Sequence, residues 1–259
     1  ATHGRRKMIS RLIRRTRKLR SRPCICCTLR DFLSSDKFFA ASDFRSSDPA
    51  KCPKVLFPDA SVVMNSGGTE GFPKTVLLSD DAFNRSADNI INAISDEKDP
   101  PVAGMLALLP MFHAFGLGVV FHLVLSHGYE AVLFPKYSPP SIARCIKKGR
   151  VRYLAGVPTV YKSLLNEKAF DCRNLGKLVA AFCGGDALDE KTRESFDAMV
   201  AKHNGSCRLY QGYGLTETAG VFCTNKAGHS RPGSVGTAIG KDYEVMILKD
   251  GKEAEPGET

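Results

Sequence analysis

From Ala60 onward, short apolar runs alternate with longer stretches in which apolar positions recur at helical spacing. A short apolar run bounded by turn residues reads as a buried strand; apolar positions three and four apart read as one face of a helix. Ser61–Met64 and Thr75–Leu78 are strands on this reading. Asp80 caps a helix reaching about Ile94, with Phe83, Ala87, Ile90, Ile91 and Ile94 on one face. Met105–Leu109 reads as a strand, Phe112–Leu125 as a helix, Glu130–Phe134 as a strand and Ser141–Lys148 as a helix. Tyr153–Gly156 is a strand, and Pro158–Leu165 a helix with proline in its first turn. Lys177–Cys183 is a strand, Leu188–His203 a helix with Leu188, Phe196, Met199 and Val200 inward, and Cys207–Tyr210 a strand. Repeated strand–helix units predict an α/β fold with a mostly parallel, doubly wound sheet and flanking helices. Tyr243–Leu248 and the Asp250-Gly251 turn predict entry into a β-hairpin that the chain does not finish.

Composition changes the picture at one end. The 259 residues, 43% hydrophobic, suffice for one large domain or two small ones. Of the net charge of +10, eleven Lys or Arg fall in residues 1–30, which hold no acid, so the remainder is near −1. The basic character is that of a tail, and a nucleic-acid partner is not expected of the fold. Within the tail, Arg5, Arg11, Arg14, Arg17 and their neighbours crowd around Met8, Ile9, Leu12, Ile13 and Leu19. That pattern suits a basic amphipathic helix on an anionic membrane or RNA, or a solvated lead-in, the second being favoured. Residues 1–54 are thus set apart as a basic segment with an irregular linker, and 55–259 as the globular part. Nine cysteines and no secretory signal argue against a disulfide framework, and Cys24, Cys26 and Cys27 lack a second pair for zinc. No apolar run reaches transmembrane length. The expected location is cytoplasmic, with peripheral membrane contact through residues 1–30 left open.

Four polar or glycine-rich segments fall where predicted strands end, the usual ligand-binding edge of a doubly wound sheet. In the first, Gly67, Gly68 and Gly71 accompany Ser66, Thr69 and Lys74. Such a turn can cradle phosphate through backbone N–H groups, hydroxyls and an ammonium, or be a mobile hairpin with a solvated lysine. It lacks P-loop spacing. Pro110–Gly116 sets His113 among aromatics, where a lone histidine is usually just packed. Gly184–Ala187 is a glycine turn. Gln211–Glu217 places an aromatic, a hydroxyl and a carboxylate in one short turn: Tyr213 to stack on a base, Thr216 to donate to phosphate, Glu217 to hold Mg²⁺. The plainer reading makes Tyr213 a core aromatic and Glu217 a helix N-terminal charge.

The order of these segments resembles the adenylate-forming superfamily of acyl-CoA synthetases, coumarate ligases, luciferases and adenylation domains. The matching residues are Ser66–Lys74, Pro110–Gly116, Gly156-Val157-Pro158-Thr159, Gly184–Leu188, Tyr213–Glu217 and Gly233-Ser234-Val235-Gly236. The wording is most like bacterial fatty-acid or acyl-CoA ligases, over about residues 55–259. The resemblance implies activation of a carboxylic acid, of fatty type, by ATP to acyl-AMP, and then thioester formation with coenzyme A. It implies that Lys74 with Ser66, Gly67, Gly68, Thr69 and Gly71 holds the β- and γ-phosphates, and that Thr216 contacts the α-phosphate. Glu217 would hold Mg²⁺, Gly184, Gly185, Asp186, Ala187, Tyr213 and Gly214 would bind the nucleotide base side, and His113 would line the acyl pocket. A carboxylate needs no general base at neutral pH, so positioning and charge stabilisation carry such chemistry.

Three residues depart from the family pattern: Glu70 where Thr or Ser is usual, Thr75 where Gly is usual, and Asp186 where a small residue is commoner. The family places a ribose-binding aspartate, a hinge and a C-terminal lid domain with a lysine beyond the position of Thr259. The expectation is therefore an internal piece of a ligase that binds nucleotide with little or no turnover. Alternatives are a truncated, inactive paralogue, an interaction module using its basic tail on membrane or RNA, and an amino-acid adenylation domain.

Overall fold

A computed structural model of the chain describes residues 60–66, 74–94, 104–134, 137–226 and 229–254. The basic segment, the linker to residue 59, Cys24, Cys26, Cys27 and Cys52, and the loop residues 67–73, Glu70 included, lie outside the described residues.

Strands β1 (Val62–Asn65) and β2 (Thr75–Leu78) form an antiparallel hairpin, with Met64 opposite Val76 and Asn65 opposite Thr75. Side chains alternate across a strand, so the hairpin has two faces. Met64 and Leu78 are buried with Phe83, Ala114 and Ala219; Val63 and Leu77 on the other face are exposed. Helix α1 (Asp80–Ile94) follows. Its cap is Ser79 rather than Asp80: the Ala82 N–H donates to Ser79 Oγ at 3.1 Å. Serine satisfies an orphan N–H one position earlier, and Asp80 and Asp81 in the first turn complement the positive end of the helix dipole.

The main sheet holds seven strands in the order β4-β3-β5-β6-β7-β8-β9. Strands β3 (Gly104–Ala107), β4 (Glu130–Leu133), β5 (Tyr153–Gly156), β6 (Ala180–Cys183) and β7 (Leu209–Leu215) are parallel. Strands β8 (Gly220–Thr224) and β9 (Thr237–Ala238) add antiparallel pairs at one side. Between β3 and β4 run a π-helix (Phe115–His122) and the short α2 (Leu123–Ser126). The later crossovers are α3 (Pro139–Lys147), α4 (Pro158–Leu165) and α5 (Glu190–Lys202).

Alternate residues of the strands enter two separate cores. Leu106, Leu154, Ala181 and Leu209 pack with Ile142 and Ile146 of α3, Tyr161 and Leu164 of α4, and Phe196 and Val200 of α5. Met105, Ala107, Tyr153, Ala155 and Ala180 pack with Ala87 and Ile90 of α1, Phe115 and Val119 of the π-helix, and Val124 of α2. Helices thus cover both faces, and the sheet is doubly wound. The chain moves from β3 to β4 on one side and then to β5, β6 and β7 on the other, so β3 and β5 flank the switch point. Their ladder has a single register pair, Met105 with Tyr153, where β5 and β6 have four.

Three predicted elements take a different form. The helix expected from Phe112 starts at Phe115 as a π-helix. Its glycines touch backbone: a Cβ on Gly116 would lie 2.0 Å from the Pro110 carbonyl oxygen, and one on Gly118 would lie 2.5 Å from that of Ala219. The wide helical turn is jammed against its own entry loop and against the Thr216–Ala219 turn. Secondly, β7 continues through Gln211 to Leu215, so Tyr213 and Gly214 sit on a strand rather than in a turn. Pairing with β8 outweighs the glycine signal there. Thirdly, the C-terminal hairpin has both arms, β10 (Leu248–Lys249) and β11 (Lys252–Glu253). Asp250 (φ 52°) and Gly251 (φ 76°) form the left-handed turn that a two-residue hairpin requires.

Candidate functional site

Three of the four segments emerge from the carboxyl ends of parallel strands: Pro110–Gly116 from β3, Gly184–Ala187 from β6, and Tyr213–Glu217 at the end of β7. The fourth belongs to the hairpin. Ser66 N–H donates to the Lys74 carbonyl at 2.9 Å, and Lys74 N–H donates to Ser66 Oγ at 3.2 Å. Ser66 therefore closes the base of the loop, and Lys74 starts the returning strand with its side chain exposed. The buried hairpin face shares a cluster with Ala114 and Ala219, which ties it to the β3 segment and to the turn after β7. Thr75 faces the open side, where its hydroxyl lies 3.5 Å from Asn65 Oδ1, so a side chain is accommodated at that position. Gly67, Gly68, Thr69 and Gly71 lie outside the described residues.

His113 is exposed rather than packed among aromatics, and the neighbouring Phe112 is 78% exposed. The ring is aimed by a backbone bond: Phe115 N–H donates to His113 Nδ1 at 3.1 Å. An accepting Nδ1 assigns the proton of the neutral ring to Nε2, leaving that N–H as a donor toward solvent. Phe115, two residues on, turns inward, and its ring lies 3.3 Å from where a Cβ on Gly184 would be. Phe115 thus links the segment that carries His113 to the glycine turn.

In that turn Gly184 is buried while Gly185, Asp186 and Ala187 are exposed. The Asp186 carboxylate accepts the Ala187 N–H at 2.7 Å, so the unusual acid folds onto its own turn. Close by, Asp189 pairs with Lys162 at 2.8 Å and caps α5, accepting from Thr192 N–H and Thr192 Oγ1, both at 2.9 Å. Those bonds hold its carboxyl down at about 2. Burial pushes the Cys183 thiol, at the end of β6, up to about 12, so it is protonated at neutral pH.

Tyr213 rests edge-to-face on Phe222 at 5.4 Å and is 43% exposed. It is neither a core aromatic nor free, and presents an open ring surface. A Cβ on Gly214 would come 2.2 Å from the Gly220 carbonyl oxygen, so only glycine allows β8 to approach. Thr216 is half-buried and Glu217 exposed, on a short 3₁₀ turn, Thr216–Thr218. Thr218, not anticipated from the sequence, fastens this turn: its Oγ1 accepts Leu215 N–H at 3.1 Å and donates to the Gly220 carbonyl at 2.8 Å. Ala219 then closes the turn with φ 57°. Thr218 carried a local signal, a hydroxyl three positions after the last strand residue; Ala219 carried none.

Beneath Gly184 and Gly212 is a small apolar pocket that borrows Ile90 from α1, Phe115 and Val119 from the π-helix, Val221 from β8 and Ile239 after β9. These residues read as ordinary core positions in sequence, because elements far apart in the chain contribute to the lining. Among the described residues, no group of three or more His, Cys, Asp and Glu is placed to hold a metal. No helix of the described residues is long and apolar enough to cross a membrane.

A doubly wound sheet whose glycine turns, hydroxyls and carboxylate gather outside its carboxyl edge defines an α/β domain built to bind a ligand there. The chain belongs to the AMP-binding enzyme family, whose model matches residues 5–259. It is 31% identical over 229 residues to 4-coumarate–CoA ligase-like 5 of Oryza sativa subsp. japonica, covering 83% of this chain and 41% of that protein. It is 28% identical over 179 residues to a long-chain-fatty-acid–CoA ligase of Bacillus subtilis, covering 69% of this chain and 31% of that protein. The ATP-bound structure of MatB from Rhodopseudomonas palustris aligns with a TM-score of 0.64 at 25% identity, over 76% of this chain and 37% of that one. The chain thus spans about a third to two-fifths of the length of these relatives.

Proposed function

We propose that the carboxyl edge of the sheet holds ATP and a carboxylic acid, and serves an acid–CoA ligase reaction that proceeds through acyl-AMP to a coenzyme A thioester. The convergence of His113, the Gly184–Ala187 turn and Tyr213–Glu217 beside the hairpin of Lys74 carries this reading. In it, Lys74 and the loop from Ser66 through Gly67, Gly68, Thr69 and Gly71 meet the β- and γ-phosphates. The open ring of Tyr213 and the Gly184–Ala187 backbone flank adenine, and Gly214 keeps that strand thin. Thr216 donates to the α-phosphate, where negative charge builds as the acid attacks. Glu217 holds Mg²⁺ against the phosphates. His113 lies beside the reacting carboxylate, its outward Nε2–H a donor to a developing oxyanion. Names of relatives, an acyl ligase and an aryl ligase among them, support the reaction type and leave the choice of a fatty acid as part of the proposal.

Titration of Mg·ATP into the chain by calorimetry tests the assignment. Lys74→Ala and Glu217→Ala are each expected to weaken binding about tenfold, the order of one charge-assisted hydrogen bond removed. Affinity unchanged in both variants overturns the site. Glu217→Ala is further expected to abolish the dependence on Mg²⁺, because its carboxylate is the protein's share of the coordination.

A further inference from the structure

We infer that Tyr243 is a positioning residue for the nucleotide, setting the seat of Tyr213 and of the Thr216–Thr218 turn together, and that Asp242 clips it in place against α1. This inference rests on the nucleotide reading above, and adds to it a residue that touches no ligand.

The path of the chain brings Tyr243 to this place. After β9, Ile239 N–H donates to the Phe222 carbonyl at 2.9 Å, and the Ile239 side chain is buried with Ala87 and Ile90 of α1. The chain then turns at Gly240, with φ 72°, where a Cβ would lie 2.0 Å from Asn89 Oδ1. Both the left-handed backbone and the lack of space require glycine there. The Asp242 carboxylate accepts from Asn89 Nδ2 at 2.9 Å and from an Arg85 guanidinium N–H at 3.1 Å. Asn89 is 6% exposed, and Arg85 is itself braced by Asp81 at 2.7 Å. The buried amide is the stronger half of the clip, since an exposed ion pair alone holds little.

Tyr243, the next residue, is half-buried. Its ring lies 5.9 Å from that of Phe222, tilted by 47°, and Phe222 in turn meets Tyr213 at 5.4 Å and 64°. Phe222 thus stands between two tyrosines, one of them the ring given to adenine. Tyr213 is open to solvent, so its place depends on the ring behind it. The Tyr243 hydroxyl reaches the Thr218 carbonyl at 3.5 Å, a long bond to the turn that carries Thr216 and Glu217. One side chain therefore backs the base contact through Phe222 and the phosphate contact through Thr218. It sets the spacing between them, which a nucleotide must match at both ends. Contacts seated before the ligand arrives need less ordering on binding, and affinity gains by that amount.

The test is calorimetry of AMP with the full 259-residue chain, AMP carrying the base and the α-phosphate together. Tyr243→Ala is expected to weaken AMP about fivefold, the cost of ordering side chains that were seated before. Tyr243→Phe keeps the ring and gives up a long hydroxyl contact, and is expected to lose no more than about twofold. Tyr213→Ala is expected to weaken AMP about tenfold by loss of stacking. In that background Tyr243→Ala should cost no more than about twofold further, because most of its effect passes through the ring already removed. General loosening of the fold would act alike in both backgrounds, so this cycle separates positioning from stability. The full loss in the Tyr213→Ala background, or unchanged affinity in a folded Tyr243→Ala chain, overturns the inference and leaves the nucleotide site standing. Tyr243→Phe as weak as Tyr243→Ala also overturns it. Where Tyr243→Ala does not fold, Asp242→Ala reads the same point from the surface. It is expected to weaken AMP about threefold with Tyr213 present and not at all without it. Equal loss in both backgrounds, or none in either, overturns the inference. Failure of AMP to bind the unaltered chain, or Tyr213→Ala binding it undiminished, overturns the reading of the nucleotide's base contact, and this one with it.

Discussion

Gly214 has no space for even one methyl group, since the Gly220 carbonyl oxygen already occupies the position a Cβ would take. Gly214→Ala is expected to cost about 1–3 kcal/mol by forcing β7 away from β8, measured as a lower midpoint in urea. It should weaken nucleotide binding as well, because Tyr213 and Thr216 flank it. A second residue-level expectation concerns thiols. Burial pushes Cys183 and Cys207 up to about 12, so neither is a thiolate at neutral pH. Iodoacetamide on the native chain should leave both unlabelled by mass spectrometry, and both should react once the chain is unfolded. The short turn of Thr216–Thr218 was legible in sequence because it is local, and the roles proposed for Thr216 and Glu217 rest on that order of residues. The outward pose of His113 was not, because a backbone bond from Phe115 sets it, and that bond depends on where the π-helix begins.

Among the elements, α5 shows how one cap couples a helix to pH. Asp189 pairs with Lys162 and accepts two hydrogen bonds from Thr192, which lowers its carboxyl from 3.8 to about 2. A carboxyl depressed on folding adds stability that is fully present above the unfolded value and is lost as pH falls through the folded one. The contribution of this cap should therefore be intact above about pH 4 and gone near pH 2. Asp189→Ala should lower the thermal midpoint at pH 7 and make little difference at pH 2, measured by circular dichroism. On the inner side of the same helix, Phe196 is fully buried against Tyr161 and Phe170. Phe196→Ala is expected to cost about 3–5 kcal/mol, whereas Phe112→Ala, at an exposed ring, should stay within about 0.5 kcal/mol. Helices with a clear apolar face were legible: α4 runs from Pro158 to Leu165 as read, and α1 reaches Ile94. Strand β7 was cut short because Gly212 and Gly214 are poor strand formers in isolation. Only the long-range partner β8 makes the extended form favourable.

For the molecule as a whole, both the doubly wound sheet and its binding edge follow from alternating strand and helix patterns, and the switch point then follows from strand order. Strand order itself was not legible, since buried parallel strands look alike from inside the chain. The C-terminal region presents a second whole-molecule property. Val245, Met246, Ile247 and Leu248 are 54–69% exposed in one unbroken row. Ile247→Lys is expected to reduce concentration-dependent self-association in light scattering, because a lysine blunts an exposed apolar edge.

The single register pair between β3 and β5 has a consequence for the order of assembly. Gly104 and Glu130 are 26 positions apart, Tyr153 and Ala180 are 27, and Ala181 and Leu209 are 28, so most neighbours meet after one crossover. Met105 and Tyr153 are 48 apart and can meet only after β4 and α3 have been passed. Longer closures come later in folding and return less for each bond made. On these separations β3 is expected to pair with β4 before β5 joins them. Hydrogen exchange should then show the Arg152 amide, which donates to the Gly104 carbonyl across this seam, opening more readily than the amides between β5 and β6. The last place to zip would also be the easiest to part: a built-in line of give running down from the crevice.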